Sequence, residues 1–202
     1  ITSNPGQALW TGIVSAGHAR AIVKTLMSDA MFSGWGIRTL AEGEAAYNPI
    51  DYQVGSVWPH DNALIAAGLK RYGFDEEFER VFSAIFQAAT QFRHYQLPEV
   101  FAGFSRQQYS QPVHYPVACS PQAWASGALP LLLATALGLQ PDAPAQRLHV
   151  VRPALPEWLA SLRIRGVRVG EAAVDLHYRR TDQGTLVAVL NKQGEVQVSI
   201  EY

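Results

Sequence analysis

The chain has 202 residues, 48% of them hydrophobic and 16% charged, with a formal net charge of -1. That is enough to bury a sizeable core as one soluble globular domain, or one and a half, and the balance leaves no basic footprint for nucleic acid or an anionic membrane surface. The single cysteine, Cys119, excludes an internal disulfide; in an apolar stretch it reads as a buried, inert thiol, which fits a reducing cytoplasm.

The opening ITSNPGQALW has neither a basic leader nor an apolar run of signal-peptide length. It lacks an initiator methionine and enters at once on the turn cluster SNPGQ, so the chain is expected to be a piece of something longer. Ser15 to Met31 places Ala19, Ile22, Val23, Leu26 and Ala30 at the spacing of an amphipathic helix. Phe32 to Trp58 carries Gly34, Gly36, Gly43, Pro49 and Gly55 without a sustained period and reads as a long loop with a short strand or hairpin; loops of this length in compact domains are usually functional.

WPHDN then signals a helix start. Pro59 suits the first turn, and Asp61 or Asn62 can cap its amides and complement the dipole. The run Ala63 to Leu69 is apolar on every side, which predicts an inner helix. After YGFDEE, with Asp75 as the expected cap, Phe78, Val81, Phe82, Ile85, Ala89 and Phe92 form one stripe while Glu79, Arg80, Ser83, Gln87 and Gln91 face away, which predicts an outer helix. A third segment opens at CSPQAW, with Ser120 as cap and Pro121 as first residue, and runs through Leu137 to a stop at Gly138. No Asp, Glu, Lys or Arg lies between Arg106 and Asp142, yet Pro130 and many small residues argue against a membrane span of about 20 residues; a buried inner helix is expected.

From His149 the period shortens to two in runs split by Gly166, Gly170, Gly184 and Gly194, predicting a small antiparallel sheet. The proline-rich stretches QPDAPAQ and RPALPEW divide a helical part, residues 1–145, from a β-rich part, residues 146–202. His60, His94 and His114 are not at paired ligand spacings, so no metal is expected, and nothing calls for a cofactor. Read from the residues alone, Trp58 and Tyr52 also serve as core aromatics, Asp61 as a helix cap and His60 as a satisfied, partly buried imidazole.

Taken in order, SNPGQALWTGI, GWGIRTL, YNPIDYQVGSVWPHDNALIAAGLKRYG, LPEVFAGF, YPVACSPQAWASGALPLLL and LRIRGVRVGEAAVDL resemble the C-terminal half of bacterial proteins related to glycogen debranching enzymes, of the amylo-α-1,6-glucosidase type. The resemblance implies a mainly α fold, part of an (α/α)6 toroid of the six-hairpin glycosidase kind with a small C-terminal antiparallel sheet. It also implies an active-site pocket at the end of the ring where inner-helix termini face the substrate. Trp58, His60 and Asp61 then line a sugar site, with Tyr52, Gln53, Trp10 and Trp124 also against the substrate. Aromatic faces stack on sugars and polar side chains fix their hydroxyls.

The resemblance assigns Glu99, in HYQLPEVFAGFSR, as the general base of an inverting α-glucan hydrolase that releases glucose; the residue pattern leaves open a loop carboxylate paired with Arg106. Glycoside hydrolysis usually takes two carboxyl groups, and the resemblance puts the partner acid before the first residue here, so the fragment alone is expected to be inactive. Gln7 and Gln53 stand where such relatives generally have histidine, which removes any proton-handling role there. Four or five helices, where a full toroid has twelve, leave Ala63–Leu69 and Trp124–Leu133 facing no partner. The expected partners are the missing N-terminal half or a second copy, besides an α-glucan or oligosaccharide. A catalytically silent carbohydrate-binding fragment is the alternative. Another toroid activity, such as a phosphorylase or an isomerase of free sugars, is the third reading; a phosphorylase finds no basic cluster near the motifs for its phosphate.

Overall fold

A computed structural model describes residues 1–202. The chain divides into two compact units, Ile1–Leu132 and Leu133–Tyr202.

The first unit opens with α1 (Pro5–Thr11). The stretch read as a turn cluster is thus a helix start, because Pro5 occupies a first-turn position where its missing N–H costs nothing. Gly12, at φ 77°, ends it by donating to the carbonyls of Ala8 and Leu9. In α2 (Ala16–Leu26) the Ser15 hydroxyl caps the His18 amide, and Ala19, Val23 and Leu26 are buried. The helix stops five residues before the expected Met31, where Ser28 starts a turn and its carbonyl accepts from Met31 and Phe32.

Helix α3 (Pro59–Arg71) is the centre of the unit, with Ile65, Ala66 and Leu69 fully buried and α1 and α4 (Asp75–Ala89) packed against it. The face expected to lack a partner is therefore covered within the chain. Gly68 makes this possible: a Cβ there would sit 2.5 Å from the Trp10 backbone nitrogen, so the two helices cross almost backbone to backbone. None of the three predicted caps, Asp61 and Asn62 for α3 and Asp75 for α4, acts as one: Asp61 accepts from the Gln7 side chain. Asn62 is fully buried and turned to the backbone of Ile37, while Asp75 pairs with Lys70 at 2.6 Å. The apolar stripe of α4 is buried as its period predicts.

Helix α5 (Ala123–Ala136) starts two residues after Pro121, with Gln122 Oε1 accepting from the Ala123 amide at 2.9 Å. It is not buried all round: Ala125, Ala128, Leu132 and Ala136 make the covered stripe, whereas Trp124, Gly127 and Pro130 are exposed. A helix without charge on any side carries no pattern to mark which face is wet.

The second unit overturns the mainly α expectation. Five α-helices are accompanied by six strands in two three-stranded sheets, beginning at Leu139 rather than His149. The first sheet joins β1 (Leu139–Asp142), β2 (Arg147–Val151) and β6 (Gln197–Glu201) in the order β1-β2-β6. The proline-rich stretch read as a boundary is the β1–β2 hairpin, with Pro141 on an edge strand where a missing donor is tolerated. β6 pairs with β2 in parallel, which alternation alone does not reveal. The second sheet is an antiparallel meander of β3 (Ser161–Val169), β4 (Ala172–Thr181) and β5 (Gly184–Gln193). Leu137, Leu148, Val150, Val174, Leu176 and Tyr178 are fully buried in this unit's core.

Candidate active site

The floor of the site is a row of single antiparallel bridges, Arg38 to Val57, Val57 to Phe101 and Phe101 to His114. Val57 and Phe101 exchange both amide hydrogen bonds, at 2.9 and 3.1 Å. Gly103 lets the segments close up, since a side chain there would collide with the Gly55 carbonyl. Arg38 binds the floor from beneath: it is 1% exposed, and its Nε donates to the Gly103 carbonyl at 2.7 Å and its Nη1 to those of Asp29 and Ala30. Because Trp58 follows Val57 and Glu99 precedes Phe101 by two residues, this row sets the start of α3 beside the carboxylate.

Glu99 is 7% exposed. Its Oε1 accepts from the Tyr52 hydroxyl at 2.7 Å and its Oε2 from the Cys119 amide at 3.4 Å, while its own amide donates to the Cys119 carbonyl at 2.9 Å. Arg106 is engaged elsewhere. Its guanidinium lies 4.2 Å from the centroid of Trp35 and donates to Gln87. Cys119, expected to be buried, is exposed, while its main chain bonds the buried Glu99 segment.

Above the carboxylate stands an aromatic cluster. Tyr52 and Trp58 meet in a T-shaped contact at 4.7 Å, and Trp58 makes T-shaped contacts with His60 and Trp124 at 5.7 and 5.9 Å. His60 stacks flat on Trp124, with centroids 4.2 Å apart and an interplanar angle of 11°. Trp58 is buried and its indole N–H is satisfied by the Tyr52 carbonyl and the Ser56 hydroxyl, both at 3.0 Å. Trp124 is half-exposed.

The cluster opens onto a cavity of about 340 Å³ lined by Tyr52, Gln53, Trp58, His60, Asp61 and Trp124, together with Thr2, Ser3, Asn4 and Thr39. The last four were not legible as site residues; the Thr2–Leu40 bridge and the Ser3–Thr39 hydrogen bond bring them there from a terminus with no chemical motif. Gln7 donates its side-chain amide to Asp61 Oδ1, so an amide holds that carboxylate in place. Trp10 lies apart from the cavity lining: it is half-exposed on α1, and its carbonyl accepts from Arg71.

Electrostatically, burial holds the His60 imidazole below its usual range, against the opposing pull of the Asp61 and Glu99 charges. Its Nδ1 is buried without a hydrogen-bond partner. The Tyr52 phenol is pushed up to about 12, chiefly by its hydrogen bond to Glu99, then by burial and the Glu99 charge. No three His, Cys, Asp or Glu side chains gather around one point that could hold a metal ion. A flat aromatic wall, dipolar side chains and a buried carboxylate make a site suited to a sugar ring and a water molecule.

A search of curated proteins returned no match. The sequence profile of the mannosylglycerate hydrolase MGH1-like glycoside hydrolase domain matches residues 7–110, about half of the chain, and the matched span holds Glu99, Tyr52 and the start of α3. It supports a glycoside hydrolase of the toroid kind and does not single out the debranching type expected from the sequence. The chain belongs to the MGH1-like glycoside hydrolase domain family.

Proposed function

We propose that this chain carries the base side of an inverting glycoside hydrolase, with Glu99 as the group that activates water. The observation that carries the reading is the buried Glu99 carboxylate, bonded to a tyrosine that itself lines the aromatic cavity. A terminal hexose stacks on the open face of Trp124, whose other face His60 backs, and Asp61 and Gln53 bind its hydroxyls. Glu99 takes a proton from water as the water oxygen attacks the anomeric carbon. The glycosidic C–O bond breaks on the opposite face, and an acid protonates the leaving oxygen. That acid comes from outside residues 1–202.

The cavity, at about 340 Å³, sits at the small end of the roughly 300–1,000 Å³ range of ligand pockets. The motif series favours an α-glucan with a terminal α-1,6-linked glucose, and the family's own description names mannosylglycerate. Both substrates, given to the full-length protein and followed by proton NMR during the first turnovers, test the reading. Release of an inverted β-anomer from the α-glucan supports it in full. Inversion on mannosylglycerate alone keeps the mechanism and replaces the substrate, and a retained α-anomer overturns the assignment of Glu99. Sugar binding without turnover favours the silent carbohydrate-binding alternative.

A further inference from the structure

We infer that Tyr52 is a positioning residue for Glu99, not a sugar-binding residue: its hydroxyl and the Cys119 amide clamp the carboxylate from both oxygens and set it for water. The inference rests on Glu99 being the base. Tyr52 is itself pinned. Its amide donates to Asp51 Oδ1 at 2.6 Å, its carbonyl accepts from Ser56 Oγ at 2.6 Å and Trp58 Nε1 at 3.0 Å, and its ring abuts Trp58. A loop side chain held at backbone, ring and hydroxyl has little freedom to turn toward a ligand.

The chemistry is one-directional. An ionised carboxylate only accepts, a phenol has one proton to give, and here it is given to Oε1 at 2.7 Å, the shorter of the two clamping bonds. With that proton committed, Tyr52 could only accept from a sugar hydroxyl. Tyr52 lines the cavity and bonds Glu99, so the tyrosine joins the carboxylate to the cavity wall. The phenol remains protonated throughout the neutral range, so the clamp persists wherever Glu99 is charged.

The test compares wild type, Tyr52→Phe and Glu99→Gln in the full-length protein, with hydrolysis of the better substrate followed against pH. Phenylalanine keeps the ring contact with Trp58 and removes only the donor. The expected result for Tyr52→Phe is a KM within about threefold, a kcat lower by about 10- to 100-fold, as for loss of a hydrogen bond to a charged group, and an acid limb of kcat/KM moved toward higher pH. A raised KM with unchanged kcat would make Tyr52 a sugar ligand, and a faster enzyme would make it an obstruction; either overturns the inference, as does an unmoved acid limb. If Glu99→Gln keeps wild-type rate, the base assignment itself fails. An inactive Glu99→Gln beside an unmoved Tyr52→Phe profile overturns the tyrosine's role alone.

Should Tyr52→Phe fold poorly, NMR of ring-labelled tyrosine in Glu99→Gln gives the answer without activity. Tyr52 then ionises nearer the ordinary 10.0 than about 12, and an unchanged titration contradicts the clamp.

Discussion

Asn62 shows how much one side chain contributes to the placement of the site. It is fully buried; its Oδ1 accepts from the Ile37 amide at 2.6 Å, and its Nδ2 donates to the carbonyls of Ile37 and Trp58 at 3.0 Å. Asn62→Ala strands buried backbone groups of Ile37, at about 1–3 kcal/mol for each unsatisfied group. We expect a loss of roughly 2–4 kcal/mol in urea unfolding; a loss below about 1 kcal/mol would contradict the bracket. Tyr178 is the opposite case. Its hydroxyl is buried without a partner and burial pushes its pKa up, so Tyr178→Phe should match or exceed wild-type stability, and a clear drop in Tm would show a missed partner. His60 gives a pH dependence with a definite sign. Its folded-state pKa lies below the ordinary 6.5, so the unfolded chain binds more protons in that window and stability falls as pH drops through it. His60→Gln should flatten the decline of Tm between about pH 7 and 5; an equal decline in both proteins would remove His60 as its source. Trp58, His60 and Asp61 stand out in the sequence because they lead into the uncharged run Ala63–Leu69; the structure puts Trp58 at the cap of α3 and His60 and Asp61 in its first turn. The Tyr52–Glu99 bond does not stand out, because 47 residues separate its partners and no local period records the pairing.

At the scale of elements, packing reverses an ordinary preference at Gly68. Alanine is about 1 kcal/mol better than glycine inside a helix, yet a methyl at position 68 meets the α1 backbone at Trp10 and the Leu9 side chain. Overpacking of this kind costs about 1–3 kcal/mol, so Gly68→Ala should lower Tm despite its propensity; an unchanged or higher Tm would mean that α1 shifts freely. The amphipathic helices α2 and α4 were readable from a period near 3.6, since one wet face and one dry face leave a signature. α1 was hidden by its brevity and its glycine and proline, which mark turns as often as helix starts. The β1–β2 hairpin was hidden likewise, because the prolines that suggested a linker sit at an edge strand and its turn.

For the whole molecule, no helix is long and apolar enough to cross a membrane. The family match lies within the first unit, so the six strands of the second carry no assignment from it. The cavity offers one lining carboxylate, Asp61, which Gln7 already holds, beside the buried Glu99. On our reading residues 1–202 alone bind sugar without cleaving it, and cleavage returns with the full-length protein. Sugar release by the isolated chain would place the acid within it and contradict that division. Of the fold, helices α2 to α5 and an alternating β region at the end were foreseeable; the number of sheets and the parallel β2–β6 pairing depended on contacts between segments 50 residues apart in sequence, such as Arg147 with Gln197.

The most direct measurement is single-turnover hydrolysis by the full-length protein and its Glu99→Gln variant, with sugar affinity measured in parallel. The account predicts similar affinity and a rate lower by about 10²–10⁴-fold, the usual contribution of a positioned general base. Equal rates in the two proteins would contradict it.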